Sequence, residues 1–131
     1  MDWGRFALAV AVSGVIASFT DWLFMGMLFR ARYQESPEIW RQGASERNKI
    51  IYSELIGLIT CAAFVWLLLA TGRQAMVPAL KTAIVVWAIG PLPVVFTNCL
   101  WIKLSPYVSA SHSVGWLARL LITGAVAAWL F

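Results

Sequence analysis

Five polar side chains stand inside or at the edge of long apolar stretches: Asp21, Glu54, Asn98, His112 and Arg119. A carboxylate within a bilayer costs several kcal/mol if lipid surrounds it, so Asp21 must meet a partner, a water-filled cavity or a proton. Two readings stay open for it, a clasp between helices and a functional acid. Glu54 stands about 6 Å inside its apolar run, at a helix rise of about 1.5 Å per residue, where water can still reach it. There it serves either as an N-terminal glutamate complementing the helix dipole or as a second acid. Arg119 lies about 6 Å inside the last run, within reach of headgroups by snorkelling or of an ion pair with Asp21 or Glu54. Asn98 can hydrogen-bond a neighbouring helix, a contact worth about 1 kcal/mol in lipid. If the apolar runs close as antiparallel helices, Asp21, Glu54, Asn98 and Arg119 fall in the same half of the bundle, and that shared depth makes them a candidate binding set.

His112 sits in Ser109-Ala-Ser-His-Ser113. Its reference pKa near neutrality suits a proton carrier, while its default role is a solvated interfacial imidazole. A lone histidine does not make a metal site, and no second His or Cys stands at ligand spacing, so neither zinc nor haem is expected, nor any other cofactor. Cys61 and Cys99 lie at different depths of apolar segments and are expected as unpaired, buried thiols. No Ser-His-Asp order, paired-acid motif or glycine-rich phosphate loop is present, which disfavours an enzyme without excluding one.

One stretch would disturb the backbone that carries these groups. In Trp87-Ala-Ile-Gly90-Pro91-Leu-Pro93, Pro91 lacks the amide that would bond the Trp87 carbonyl, and Pro93 does the same to Ile89. Such breaks are ordinary kinks in many membrane helices, and in transporters they coordinate solutes.

These residues need elements that hold them in lipid. The 131 residues are 61% hydrophobic and 12% charged, against about half and a quarter in soluble domains. The mean hydropathy is +0.78. The chain reads as an integral membrane protein of a single all-α domain, a four-helix bundle with spans at about 6–29, 50–71, 82–102 and 114–131, each near the length that crosses a core of about 30 Å. No run alternates with a period of two, which disfavours a β-barrel. Arg5 followed by apolar residues resembles a secretory leader, but the run continues to Phe29, so a retained first helix is expected. In that helix Ala7, Ala11, Gly14, Ser18, Asp21 and Met25 recur at three- and four-residue steps and predict a small-residue seam aiming Asp21 inward.

The net charge is +4, and five of the ten basic residues, Arg30, Arg32, Arg41, Arg47 and Lys49, fall in one loop, where they mix with Glu35, Glu38 and Glu46. That pattern fits membrane orientation and argues against nucleic acid. With Lys103, it places loops 30–49 and 103–113 in the cytoplasm and both termini outside, and the expected site is the bacterial inner (cytoplasmic) membrane. Trp3, Trp66, Trp87 and Trp129 would form an outer aromatic belt, and Trp22, Trp101 and Trp116 an inner one. Membrane lipids are the expected partners, and a homo-oligomer stays open.

The sequence Trp22-Leu-Phe-Met-Gly-Met-Leu-Phe29, the apolar third run and Gly115-Trp-Leu-Ala-Arg-Leu-Leu-Ile-Thr-Gly-Ala-Val-Ala-Ala-Trp-Leu130 resemble the DUF1761 family of small four-span membrane proteins. The resemblance implies the four-span architecture and transfers no catalytic residue. Three function classes follow: a structural or accessory subunit, first; a transport or permeation unit for a small solute, ion or lipid; and, last, an enzyme acting on a lipid-soluble substrate.

Overall fold

A computed structural model of the chain describes residues 2–35, 37–41, 43 and 45–131; Met1 and the loop residues Ser36, Gln42 and Ala44 lie outside the described residues. Helix α1, Trp3–Asp21, starts where the Asp2 side chain accepts a hydrogen bond from the Arg5 amide. It continues without interruption as a π-helix over Trp22–Leu28, closed by an i→i−5 bond from the Phe29 amide to the Phe24 carbonyl. Loop one contains the short α2, Arg30–Gln34, and a single 3-10 turn at Pro37–Ile39. Helix α3 spans Glu46–Ala70; α4, Met76–Ile89, and α5, Pro91–Trp101, form one broken rod; α6 spans Pro106–Leu130. No strand occurs among the described residues.

Four of these units, 25 or 26 residues each, are long and apolar enough to cross a membrane. At about 1.5 Å per residue they reach about 38 Å, beyond a hydrocarbon core of about 30 Å. Their outward faces carry large apolar side chains, such as Val15, Ile59, Ile89, Leu100 and Trp129, that water would not tolerate in such number. The two ends of the chain meet, with Arg5 Nη1 donating to the Leu130 carbonyl at 3.5 Å. An even number of spans puts both ends on one side, and the packing of α1 on α6 brings them together.

The bundle is uneven. Helices α1, α3 and α6 pack as a triangle, and α4 and α5 lean mainly on α6 from its other side. The core lies toward the termini: Phe64, Val65 and Leu68 of α3 fill space against Ala9 of α1, Ala79 and Ala83 of α4, and Leu120 and Ala127 of α6. The large residues come from α3, with Leu120 from α6, and the rest are alanines, so backbones approach closely, as helices in lipid require. A Cβ on Gly124 would stand 3.4 Å from the Ala79 carbonyl.

Several expectations are corrected. Helices begin before their apolar runs: the third at Met76 rather than 82, and the last at Pro106 rather than 114. Loop 103–113 therefore shrinks to the residues before Pro106, and Ser109–Ser113 is helix. Pro106 opens it naturally, because proline at the first helical position loses only an amide that has no intrahelical acceptor. In α1 the buried residues are Ala9, Ser13, Gly14 and Ala17, so the expected seam holds at Gly14 and, half-buried, at Ser18 and Asp21, whereas Ala7 and Ala11 are exposed. Small residues alone do not fix the phase of a helix that is apolar all round. Trp87 is half-buried and donates to the Ser113 carbonyl of α6. At Gly90 the break between α4 and α5 takes the form that the two prolines impose: φ is −115° and ψ −87°, and Pro91 starts a new helix.

Candidate functional site

Asp21, Glu54 and Arg119 converge at the centre of the α1–α3–α6 triangle. Arg119 Nη2 donates to Asp21 Oδ2 at 2.5 Å and lies 4.0 Å from Glu54 Oε2. The exposure of the three side chains is graded: 6% for Arg119, 20% for Asp21 and 37% for Glu54. Two glycines make room. A Cβ at Gly57 would collide with the Arg119 guanidinium, and one at Gly115 would come within 3.2 Å of Asp21 Oδ1. The guanidinium thus lies flat on the α3 backbone while Asp21 tucks against the α6 backbone, one turn before Arg119.

Sulfur and hydroxyl groups complete the surroundings. Arg119 Nη1 points at Cys61 Sγ at 3.9 Å, and the Thr123 hydroxyl approaches the same sulfur at 3.4 Å while bonding the Arg119 carbonyl at 2.8 Å. On the other side of the triad the Ser18 hydroxyl is hydrogen-bonded to Glu54 Oε2 and to the Gly14 carbonyl, the latter at 2.9 Å. The spacing explains this sharing: Gly14 and Ser18 are one turn apart on the face of α1 that meets Leu58 and Glu54 of α3.

Asn98 does not join them. It lies on α5, exposed, with the α4–α5 rod on the far side of α6. Equal depth along four helices says nothing about rotation around each axis, and α5 turns this residue outward.

His112 is half-buried, and its ring meets Tyr33 edge-on with centroids 5.6 Å apart. Tyr33 anchors loop one: its ring stacks on Trp40 at 5.3 Å, its carbonyl accepts from Trp40 Nε1 at 2.7 Å, and its hydroxyl reaches Ser111 at 3.4 Å. Arg32 covers the Tyr107 ring at 4.4 Å and pairs with Glu35 at 2.7 Å. Burial raises the Tyr33 pKa above its ordinary value, opposed by the bond to Ser111 and reinforced by the charge of Asp21. A raised phenol pKa stabilises the docked loop below the ordinary value of about 10 and loses that contribution as pH rises through the shifted one.

The serine run, read from sequence as part of loop 103–113, is instead a hub inside α6. Ser109 contacts Cys99 Sγ of α5, Ser111 contacts Tyr33 of α2, and Ser113 accepts from Trp87 Nε1 of α4 through its carbonyl at 2.9 Å and its hydroxyl at 3.2 Å. Residues 109 and 113 share a face by the four-residue rule, and 111 stands across the helix. The signal for this was present as three serines at alternate positions, buried small polar groups of the kind that link helices in lipid. Gly57, Gly115, Ser18 and Cys61 are the other contributors, and the seam expected in α1 had already turned Ser18 inward.

Two surface grooves lie away from the triad. One, of about 520 Å³, runs along the helix break past Pro93, Phe96, Cys99 and Pro106; the other, of about 400 Å³, lies by Trp66 and Phe131. Neither is lined by Asp21, Glu54 or Arg119. Both cysteines are unpaired, with Cys61 buried and Cys99 half-buried. Among the described residues no group of three or more His, Cys, Asp or Glu side chains could hold a metal ion. Comparison with family models, with curated proteins and with solved structures returns no match.

Proposed function

We propose that this chain is a structural or accessory membrane subunit whose polar inner half is a helix clasp. The observation that supports this best is the direct seating of Arg119 on Asp21 across glycine floors, a contact that leaves no space between the two charges for a solute. A cation buried in lipid, bonded to one acid and one sulfur and packed on the α3 backbone at Gly57, fixes the rotation and height of α1, α3 and α6 together. The resemblance to DUF1761 proteins adds a four-span frame and no activity.

The charge distribution supports an orientation. Arg30, Arg32, Arg41, Arg47, Lys49 and Lys103 gather at the loop-one end, and Arg5, Arg73 and Lys81 at or toward the other. By the positive-inside rule the loop-one end faces the cytoplasm of a bacterial inner membrane and both termini face outward. Lipids are then the immediate partners.

Asp21→Asn tests the clasp. Leaving Arg119 without its carboxylate should cost about 3 kcal/mol, the scale for breaking a buried pair, and lower the detergent melting temperature by roughly 10 °C. Charge-neutral Asp21→Asn with Arg119→Gln should recover part of it, because no ion is then stranded. An unchanged melt for the single variant would overturn the reading.

A transport or permeation role is the second reading, favoured by the opening of Glu54 to the exterior and by the broken α4–α5 rod. It requires flux of a proton or small solute in liposomes that Asp21→Asn abolishes while the chain stays folded. Wild-type liposomes with no flux across a broad panel would dismiss it.

A further inference from the structure

At Gly90 the rod breaks and α5 sets off in a new direction, and the short side chains of Ala88 and Pro93 leave the offset open. The result is a groove of about 520 Å³ that runs from Ala88 past Leu92, Phe96 and Leu100 to Pro106 at the start of α6. From Ala88 to Leu100 it extends about 18 Å at a helix rise of about 1.5 Å per residue. That is close to the depth of one leaflet, half of a hydrocarbon core of about 30 Å. Trp101, 83% exposed, sets its outer end near the headgroups, where amphipathic rings collect. The groove therefore crosses the leaflet on the loop-one side, from mid-membrane to interface. Its walls are held together at that end by the Cys99 thiol, which meets the Ser109 hydroxyl and the Ser105 carbonyl.

The polar groups left open stand at the same end. Thr20, Thr60, Thr71, Thr82 and Thr123 each turn the hydroxyl back to a carbonyl three or four residues earlier, the ordinary way a threonine satisfies itself inside a helix. Thr97 does not: it lines the groove, and its hydroxyl bonds no described residue. Lys103 stands on the short segment that joins the two walls, exposed, and pairs with no acid among the described residues. The neighbouring cation Arg32 is already taken by Glu35 and by the Tyr107 ring. From the interface inward the order is a free cation, a free hydroxyl and an apolar trough, which is the order of phosphate, ester and acyl chain in a phospholipid. One unpaired lysine matches one net negative charge, whereas a zwitterionic headgroup brings its own cation.

We propose that this groove is a binding site for one anionic phospholipid of the loop-one leaflet, its phosphate at Lys103, its ester at Thr97 and one acyl chain along α5 to Ala88. The site depends on the reading of the chain as membrane-spanning and not on the clasp, which Asp21→Asn tests without touching the groove. A lipid seated there covers the apolar face that the break exposes.

Native mass spectrometry of the full chain, released from micelles that hold equal amounts of phosphatidylglycerol and phosphatidylcholine, tests this. Wild type should retain one phosphatidylglycerol per chain, preferred about five-fold over phosphatidylcholine, the worth of one lysine at a membrane surface. Lys103→Gln should erase the preference, and Lys81→Gln, which removes an exposed lysine of the same rod outside the groove, should keep it. Ala88→Phe places a ring in the deep end from an exposed position and should abolish retention of both lipids. Thr97→Val keeps the shape and should weaken both about five-fold, the worth of one hydrogen bond; it decides the case if Ala88→Phe does not fold. A wild-type chain without bound lipid, a preference that survives Lys103→Gln or falls equally in Lys81→Gln, full retention in Ala88→Phe or Thr97→Val, or a lipid-free dimer as the retained species would each overturn the site.

Discussion

Helix α6 has the lowest mean hydropathy of the four spans, 1.5, and the largest buried share of its most apolar window, 39%; the Met76–Trp101 rod has 1.9 and 6%. In a soluble domain the order would run the other way, because water expels the most apolar surface into the core. Lipid receives an apolar helix at no cost, so what draws a helix into the centre is polarity that needs a partner. Helix α6 carries Arg119, Thr123 and three buried serines, and each serine meets a different element. The α4–α5 rod carries few such groups and is tied to α6 by Trp87, Cys99 and close alanine contacts.

The largest effect that would break this contrast belongs to Gly57→Val. A side chain there displaces the Arg119 guanidinium from the α3 backbone and with it the bond to Asp21, so the loss should reach about 3–5 kcal/mol, the scale of a stranded buried charge. Thermal melts followed by helical circular dichroism read it directly. Gly90→Ala in the rod, where the new methyl would meet only the Val86 carbonyl at 3.3 Å, is the matched control and should shift the melt far less. Equal shifts would mean that α6 holds no special position.

A smaller effect sharpens the comparison from the rod's side. Trp87→Phe keeps an aromatic ring and removes only the donor that reaches Ser113, so it should cost about 1 kcal/mol, the net worth of one hydrogen bond. Hydrogen exchange should show the loosening in α4 and α5 and leave the α1–α3–α6 triangle protected. Uniform loosening would show the rod to be integral to the bundle.

Much of this contrast could be read before the fold was known, and the unread part has one cause. Four spans, the helix break at Gly90 and the shared depth of Asp21, Glu54 and Arg119 follow from hydropathy, proline chemistry and the helix rise. Rotation about each axis does not, because a lipid-facing helix has no polar face to mark its outside. That is why Ala7 and Ala11 were assigned to the seam in place of Ala9 and Ala17, and why Asn98 was grouped with residues it does not meet. The π-helix at Trp22–Leu28 escaped for a related reason, since a wider turn leaves no compositional mark in a run that is apolar throughout. Ser109–Ser113 was misplaced differently: serine-rich sequence resembles a polar loop, and only burial between helices reveals it as interior.

The smallest expected effect is the most exacting. Asn98 is exposed on α5, and its amide makes no hydrogen bond to another described residue. If the rod faces lipid, Asn98→Leu replaces a polar group that gains nothing there, and the melt should be unchanged within about 0.5 kcal/mol or slightly raised. If a second copy of the chain covers α5, the amide has a partner that leucine cannot replace, and the variant should lose about 1 kcal/mol together with its oligomer. Melting combined with mass measurement in detergent separates these outcomes. The contrast between a polar, central α6 and a peripheral rod stands on the first result; the second would make the rod's low burial a property of the single chain and its outer face an interface in the assembly.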